Sequence, residues 1–277
     1  MPELPEVELI SRSLNSLVKG RTIVSAKLLR PRLAPDISPV KFSNKLRKAK
    51  INFVHRRGKH ILFDLSSEKT LIVHLRMSGR FSILPAERED PKFTHAVFHL
   101  EDETRLVFDD QRHFGLMKIV DTNDLHDAKE LIKLAPEPFS DDFSIEYLFD
   151  RTKNSKRSLK EFLLDQTRVC GLGNIYACEA MFAAGLDPRK PADKLSKQNV
   201  IRLHESIRAV LQEAVSHAGS RVVDPENLEG NYFSGSTDAG WFVYDREGEL
   251  CNACKSPILR LKQGSRSTYF CPKCQKK

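Results

Sequence analysis

Acidic side chains are almost missing from two parts of this 277-residue chain. Residues 11–60 hold fourteen Lys/Arg and one acid, Asp36, while residues 251–277 hold seven Lys/Arg and none. The acids collect instead in 101–150, fourteen against five Lys/Arg, within a formal net charge of +8. Solvated surface lysines would account for the total but not for the segregation. Sided positive charge predicts a polyanionic partner, either nucleic acid or a membrane surface. No apolar run approaches the ~20 residues of a membrane span. The N-terminus lacks the charged start and apolar middle of a signal peptide, which predicts a cytoplasmic protein. Internal repeats and low-complexity tracts are also missing. At this length, with 40% hydrophobic and 30% charged residues, the chain has room for two domains, each with its own core.

After Pro5, the apolar residues Val7, Ile10, Leu14 and Leu17 recur at helical spacing, and Gly20 supplies a stop. Short strands follow at 22–28, 51–54, 61–65, 71–75, 81–84, 96–100, 106–109 and 117–120, a spacing that predicts a β-sandwich or barrel. The stretch Leu134-Ala135-Pro136-Glu137-Pro138 reads as a linker. Beyond it the period turns helical, at 145–151, 159–166, 175–184 and 198–217. Residues 218–247 carry Gly219, Pro225, Gly230, Gly235 and Gly240 and read as a long irregular connection. The fold class is therefore α+β, with an N-terminal helix on a β-sandwich and a second, helical domain.

Four of the six cysteines form two close pairs, Cys251/Cys254 and Cys271/Cys274, with sixteen residues between them. This spacing fits a four-cysteine zinc site, each pair gripping one edge of a tetrahedral ion while the intervening chain runs out and back as a hairpin. Disulfides are the alternative, but no secretion signal accompanies these thiols. Four protein ligands leave no open position, so the ion closes a fold and does no chemistry. The stretch Gly264-Ser265-Arg266-Ser267-Thr268 reads as the hairpin tip, presenting Arg266. Cys170 and Cys178 read as small buried hydrophobes.

The opening Met1-Pro2-Glu3-Leu4-Pro5-Glu6-Val7-Glu8 has two readings. Pro followed by Glu suits the first turn of a helix. If the initiator Met is removed, however, Pro2 becomes a secondary amine, able to attack an electrophilic carbon and form an iminium ion, with Glu3 as the nearest acid or base. Further on, Lys59 follows Arg56-Arg57-Gly58 on a hairpin turn, where a lysine is ordinarily solvated. Met77 sits where a strand meets a Gly turn, and Arg112 and Phe114 share one loop. Arg151, Lys153, Lys156, Arg157 and Lys160 fall within ten residues without an acid. Gly171-Leu172-Gly173-Asn174 precedes a helix, as an ordinary turn with an Asn cap or as a phosphate cradle.

Taken together and in this order, the N-terminal string, the lysine turn, the Met/Arg/Phe loops, the glycine-flanked Asn and the zinc spacing resemble bacterial formamidopyrimidine-DNA glycosylases. The resemblance runs from Pro2 to Gln275. It implies an N-terminal catalytic domain at 1–135, a helix–two-turn–helix domain at 136–223, an irregular connection containing a lesion loop at 224–250 and a zinc finger at 251–277. It implies a monomeric base-excision repair enzyme of the bacterial cytoplasm, associated with the nucleoid. Its substrate would be double-stranded DNA carrying oxidised purines, such as 8-oxoguanine and formamidopyrimidines, or abasic sites. The catalytic residues would be Pro2, Glu3, Lys59 and Arg266. His95, Lys156 and Asn174 would contact DNA, while Met77, Arg112 and Phe114 would enter the duplex. Cys251, Cys254, Cys271 and Cys274 would hold one zinc ion. Two alternatives stand beside this: the endonuclease VIII branch acting on oxidised pyrimidines, and a non-catalytic binder of damaged DNA.

Overall fold

The computed structural model describes residues 1–219, 224–228 and 240–276. The chain divides into two compact units, one of Met1–Ile132 with His217–Tyr232, the other of Lys133–Ser216 with Phe233–Lys277. The expectation for 224–250 falls partly on residues 229–239, outside the described residues.

In the first unit, helix α1 (Leu4–Val18) buries Leu4, Val7, Ile10, Leu14 and Val18. Its first turn is closed from within: the Glu3 N–H donates to Glu6 Oε2 at 2.7 Å, which satisfies one of the donors every helix start leaves orphaned. Eight strands follow: β1 (Thr22–Leu28), β2 (Ala49–Arg57), β3 (His60–Leu65), β4 (Lys69–His74), β5 (Gly79–Leu84), β6 (Thr94–Leu100), β7 (Arg105–Asp110) and β8 (Leu116–Asp121). Each expected strand has its counterpart. They pair antiparallel in the order β5-β7-β6-β1-β2-β3-β4-β8. The β1–β2 junction has only two register pairs, Thr22↔Lys50 and Ile23↔Ala49. This short seam lets the two four-stranded halves fold over one another, and Phe63 of β3 meets Phe81 of β5 with ring centroids 5.6 Å apart. The strand edge at β5 is met by residues 225–228: Ile83 N–H donates to Pro225 O and Leu228 N–H to Phe81 O.

One helix departs from the expected all-strand stretch. Residues Pro39–Leu46 form α2, started by Ser38, whose Oγ accepts the Lys41 N–H, and by Pro39 in the first turn. Only Phe42 and Leu46 of it are buried, two positions one turn apart, too short a pattern to stand out in the sequence.

In the second unit, helices α3 (Ile145–Lys153), α4 (Leu159–Leu164), α5 (Asn174–Ala183) and α6 (Lys197–Gly219) precede the hairpin of β9 (Leu259–Gln263) and β10 (Arg266–Phe270). The zinc module shares a core with α5, in which Cys178, Val243, Ile258 and Tyr269 are buried together with Cys251 and Cys271. Among the described residues, no helix is long and apolar enough to cross a membrane.

Candidate DNA-processing site

On the first unit, two contacts fix α1 against β2. Asn15 Oδ1 accepts the Val54 N–H at 2.9 Å, and Glu8 Oε2 pairs with Arg56 Nε at 2.5 Å. Moving toward the start of the helix therefore moves toward the end of the strand. That places Pro2 and Glu3 at the same end as the β2–β3 turn, Gly58-Lys59. Gly58 takes φ 57° at this two-residue turn, where a side chain would be strained. Lys59, which the sequence would leave in solvent, is only 5% exposed, and Glu3 only 3%. Pro2 is buried too, while Met1 ahead of it is exposed. Burying an acid and a lysine is costly unless they are paired or hydrogen-bonded.

Beside Lys59 stand two buried histidines that the sequence did not single out. His60 and His74 face each other across β3–β4 with rings edge to face, centroids 4.7 Å apart. Burial pushes His60 down to about 4. It pushes His74 down to about 2, with the charges of His60, Arg76 and Lys59 adding to the effect. Both rings are therefore neutral at pH 7. The Arg76 N–H donates to His74 Nδ1 at 2.9 Å, so neutral His74 carries its proton on Nε2.

Met77 lies in the β4–β5 turn; Arg112 and Phe114 lie in the β7–β8 loop. Met77 is 44% and Phe114 47% exposed, and the Arg112 guanidinium lies 5.3 Å from the Phe114 ring centroid. Exposing two large apolar groups on neighbouring loops has no packing reason. What joins the loops is Asp110, fully buried. Its Oδ1 accepts from Ser78 Oγ and from the Arg112 N–H, and its Oδ2 from the Gly115 N–H at 2.7 Å. Ser78 Oγ also accepts the Arg112 N–H, at 3.0 Å. The β5–β7 register, Gly79↔Asp110, is what brings these groups together. A Cβ on Gly115 would sit 2.9 Å from the Phe108 ring, so the loop passes where only glycine fits. His95, on β6, is buried.

In the second unit, Arg151, Lys153, Lys156 and Arg157 are exposed. Lys160 is not: at 1% exposure its Nζ donates to Asn174 O and to Cys178 Sγ, both at 2.9 Å. The loop before α5 is held by Gln166, whose Oε1 accepts the Gly171 N–H and whose Nε2 donates to Leu172 O. Gly173, not Asn174, is the cap residue of α5, which corrects the Asn-cap reading. Asn174 Nδ2 instead donates to Ser267 O of β10 at 3.0 Å, tying the helical element to the zinc hairpin. The hairpin tip is narrower than expected, the pair Gly264-Ser265, because Arg266, Ser267 and Thr268 are already paired in β10; Arg266 opens that strand exposed, opposite Gln263.

The four thiolate positions fit zinc. All Sγ atoms of Cys251, Cys254, Cys271 and Cys274 lie within 4.8 Å of one another, as a tetrahedron with bonds of ~2.3 Å requires. The module is fastened to its unit by Glu179, whose buried carboxylate accepts the N–H groups of Phe242, Val243 and Tyr244. Burial raises the Glu179 pKa and these three donors oppose the rise.

Three family profiles match. Residues 1–117 match the formamidopyrimidine-DNA glycosylase N-terminal domain, residues 134–225 the formamidopyrimidine-DNA glycosylase H2TH domain, and residues 248–277 a zinc finger found in FPG and IleRS. The formamidopyrimidine-DNA glycosylase of Bacillus subtilis is 40% identical over the whole of both chains. A solved complex of the Lactococcus lactis Fpg with DNA containing an abasic site is similar at TM-score 0.91 and 32% identity, covering 99% of this chain and all of that one. The wild-type Lactococcus lactis protein bound to DNA containing N7-benzyl-Fapy-dG is similar at TM-score 0.90 and 32% identity, over all of both chains.

Proposed function

This chain belongs to the formamidopyrimidine-DNA glycosylase family, and from that premise we propose the following division of labour on damaged duplex DNA. The protein is a DNA glycosylase and abasic-site lyase with a structural zinc ion held by Cys251, Cys254, Cys271 and Cys274. Residues 1–135 form its catalytic domain, 136–223 its helix–two-turn–helix domain, 224–250 a connection with a lesion loop and 251–277 its zinc finger. It works in the cytoplasm at the nucleoid. Oxidised purines are its preferred lesions.

After removal of Met1, the Pro2 amine attacks C1′ of the extruded nucleotide and the bond to the base breaks. Glu3 protonates the sugar oxygen as the ring opens, leaving an iminium that acidifies the 2′ carbon. Elimination of the 3′ phosphate, then of the 5′ phosphate, cuts the strand on both sides, with Lys59 donating a proton to the opened sugar and Arg266 gripping the phosphates that flank the lesion and so assisting the last cleavage. Met77 and Phe114 part the base steps and Arg112 faces the orphaned base, while His95, Lys156 and Asn174 serve the phosphate backbone. The observation that carries this reading is the placing of buried Pro2, Glu3 and Lys59 at one end of the α1–β2 pair.

The test is borohydride trapping on a duplex with one 8-oxoguanine opposite cytosine, the cross-linked residue being located by mass spectrometry. An adduct on Pro2 is expected, and Pro2→Gly, which puts a primary amine in place of the secondary one, should bind the same duplex yet cut it far more slowly. Unchanged cleavage by Pro2→Gly would remove Pro2 as nucleophile. Stronger trapping on an oxidised pyrimidine would move the assignment to the endonuclease VIII branch. No adduct on either lesion or on an abasic site, with Met1 absent, would leave a non-catalytic binder.

A further inference from the structure

Pro2 sits at the end of a rod. Glu3 caps α1 reciprocally, its carboxylate accepting the Glu6 N–H while Glu6 Oε2 accepts the Glu3 N–H, so Pro2, one residue earlier, follows any movement of the helix. The apolar side chains of α1 set how deep it lies, but apolar contact has no direction and resists a small tilt weakly. Direction comes from polar contacts with β2. Asn15 Oδ1 holds the Val54 N–H near the far end of the helix, and Glu8 holds Arg56 near its start. Along the helix these contacts are seven residues apart, about 10 Å; along the strand they are two residues apart, about 7 Å. Two points at different spacings fix the angle between rod and strand. Glu8 itself lies between two guanidinium groups of unequal burial. Its Oε2 meets Arg56 Nε at 2.5 Å and its Oε1 meets Arg12 Nε at 2.6 Å, with the Arg56 side chain 9% exposed and that of Arg12 62%. A buried guanidinium needs its counter-ion, whereas an exposed pair is screened by water.

Resting on the reading that Pro2 is the nucleophile and Lys59 the proton donor to the opened sugar, we propose that Glu8 and Arg56 are positioning residues for the reaction, a brace that sets the gap between the Pro2 amine and the Lys59 side chain. Arg56 stands opposite Ile61 in the β2–β3 hairpin, three residues before Lys59. Its guanidinium therefore ties the helix start to the same hairpin that carries the lysine. Without the brace, the angle rests on the Asn15 contact and on apolar packing. Asn15 is thirteen residues from Pro2, about 20 Å of helix. A tilt of about 3° about that point moves the amine by about 1 Å, and a misplacement of that size slows a reaction about a hundredfold. Amine and lysine act on one sugar, so the gap between them matters more than the placing of either alone.

The experiment separates duplex affinity from the chemical step. Glu8→Asp keeps the charge opposite Arg56 and shortens the brace by one methylene, while Arg56→Lys keeps the charge and loses the planar fork. In each, single-turnover cleavage of a duplex with one 8-oxoguanine opposite cytosine, and of one with an abasic site, should slow roughly tenfold to a hundredfold. Borohydride trapping should slow in step. Kd, measured on a duplex whose abasic site is reduced and so cannot form an iminium, should stay at the wild-type value, with the melting temperature near it. Arg12→Gln removes the exposed partner of the same carboxylate and should change neither rate nor Kd. A wild-type single-turnover rate in Glu8→Asp or Arg56→Lys, a loss carried by Kd with the rate intact, or an equal loss in Arg12→Gln would overturn the assignment. Failure of the wild type to form a borohydride adduct on Pro2 would instead remove the nucleophile on which the brace acts, so the two failures are distinguishable.

Discussion

Two neutral imidazoles beside a buried lysine make the end of the first unit that holds Pro2, Glu3 and Lys59 sensitive to acid. His60 and His74, held at about 4 and about 2 by burial, bind protons in the unfolded chain at an ordinary value near ~6.5 but not in the folded one. The unfolded state therefore takes up more protons as the pH falls below ~6.5, and stability falls with it, by up to about 1.4 kcal/mol per pH unit for each group. This contribution is fully present above ~6.5 and is lost progressively as the pH drops through 6 toward 4. Urea unfolding at pH 7.5, 6 and 5 should show the decline, and His60→Phe, which retains a ring against His74, should flatten it. An equal slope in the variant would mean that the acid sensitivity lies elsewhere. In the sequence Lys59 reads as a solvated turn lysine and His60 and His74 as ordinary strand residues. Their burial arises from antiparallel neighbours fourteen positions apart, His60↔His74, which no local pattern displays.

At the scale of elements, the placing of Met77, Arg112 and Phe114 depends on Asp110, which ties two turns thirty-two residues apart in sequence. Asp110→Asn substitutes a donor for one acceptor oxygen, and Ser78→Ala removes the hydroxyl from the same junction. Each should leave the β5–β7 pairing intact while loosening Met77 or Arg112. The expected outcome is a rise in Kd for lesion duplex of roughly threefold to tenfold per lost hydrogen bond, with circular dichroism and melting temperature near wild type. Because the two groups share one junction, the double variant should cost less than the sum of the singles; strictly additive losses would refute the shared junction. The strands themselves are legible, since short apolar runs at regular spacing with turn residues between them mark all eight. Helix α2 is not, because two buried positions do not make a period. The roles of Pro2, Glu3 and Arg266 came from resemblance to a family; the residues alone left a helix start and a basic hairpin. Asp110 and Ser78 went unnoticed because a register, rather than a motif, makes them partners.

For the whole molecule, the zinc module bears on more than its own hairpin. Cys251 and Cys271 belong to the core that also contains Cys178 of α5, Val243, Ile258 and Tyr269, and Asn174 is bonded to Ser267 of β10. Removing the ion would leave four unbridged thiols where one ion tied the two cysteine pairs together, so the loss should spread from β9–β10 into α5 and the loop before it. The first unit has its own core, made by α1 and the eight strands, and no zinc ligand. Chelation should therefore split thermal unfolding into an early transition of the second unit and a later one of the first. Duplex affinity should fall with the early transition, since Arg266, Asn174 and Lys156 all depend on that unit. Re-adding zinc under reducing conditions should restore both affinity and a higher first transition. A chelated protein that kept full affinity would show that the first unit binds DNA by itself, through the fourteen Lys/Arg of residues 11–60. Its salt slope would then match that of the intact protein, whereas loss of phosphate contacts from the second unit lowers the slope by about 0.9 for each contact.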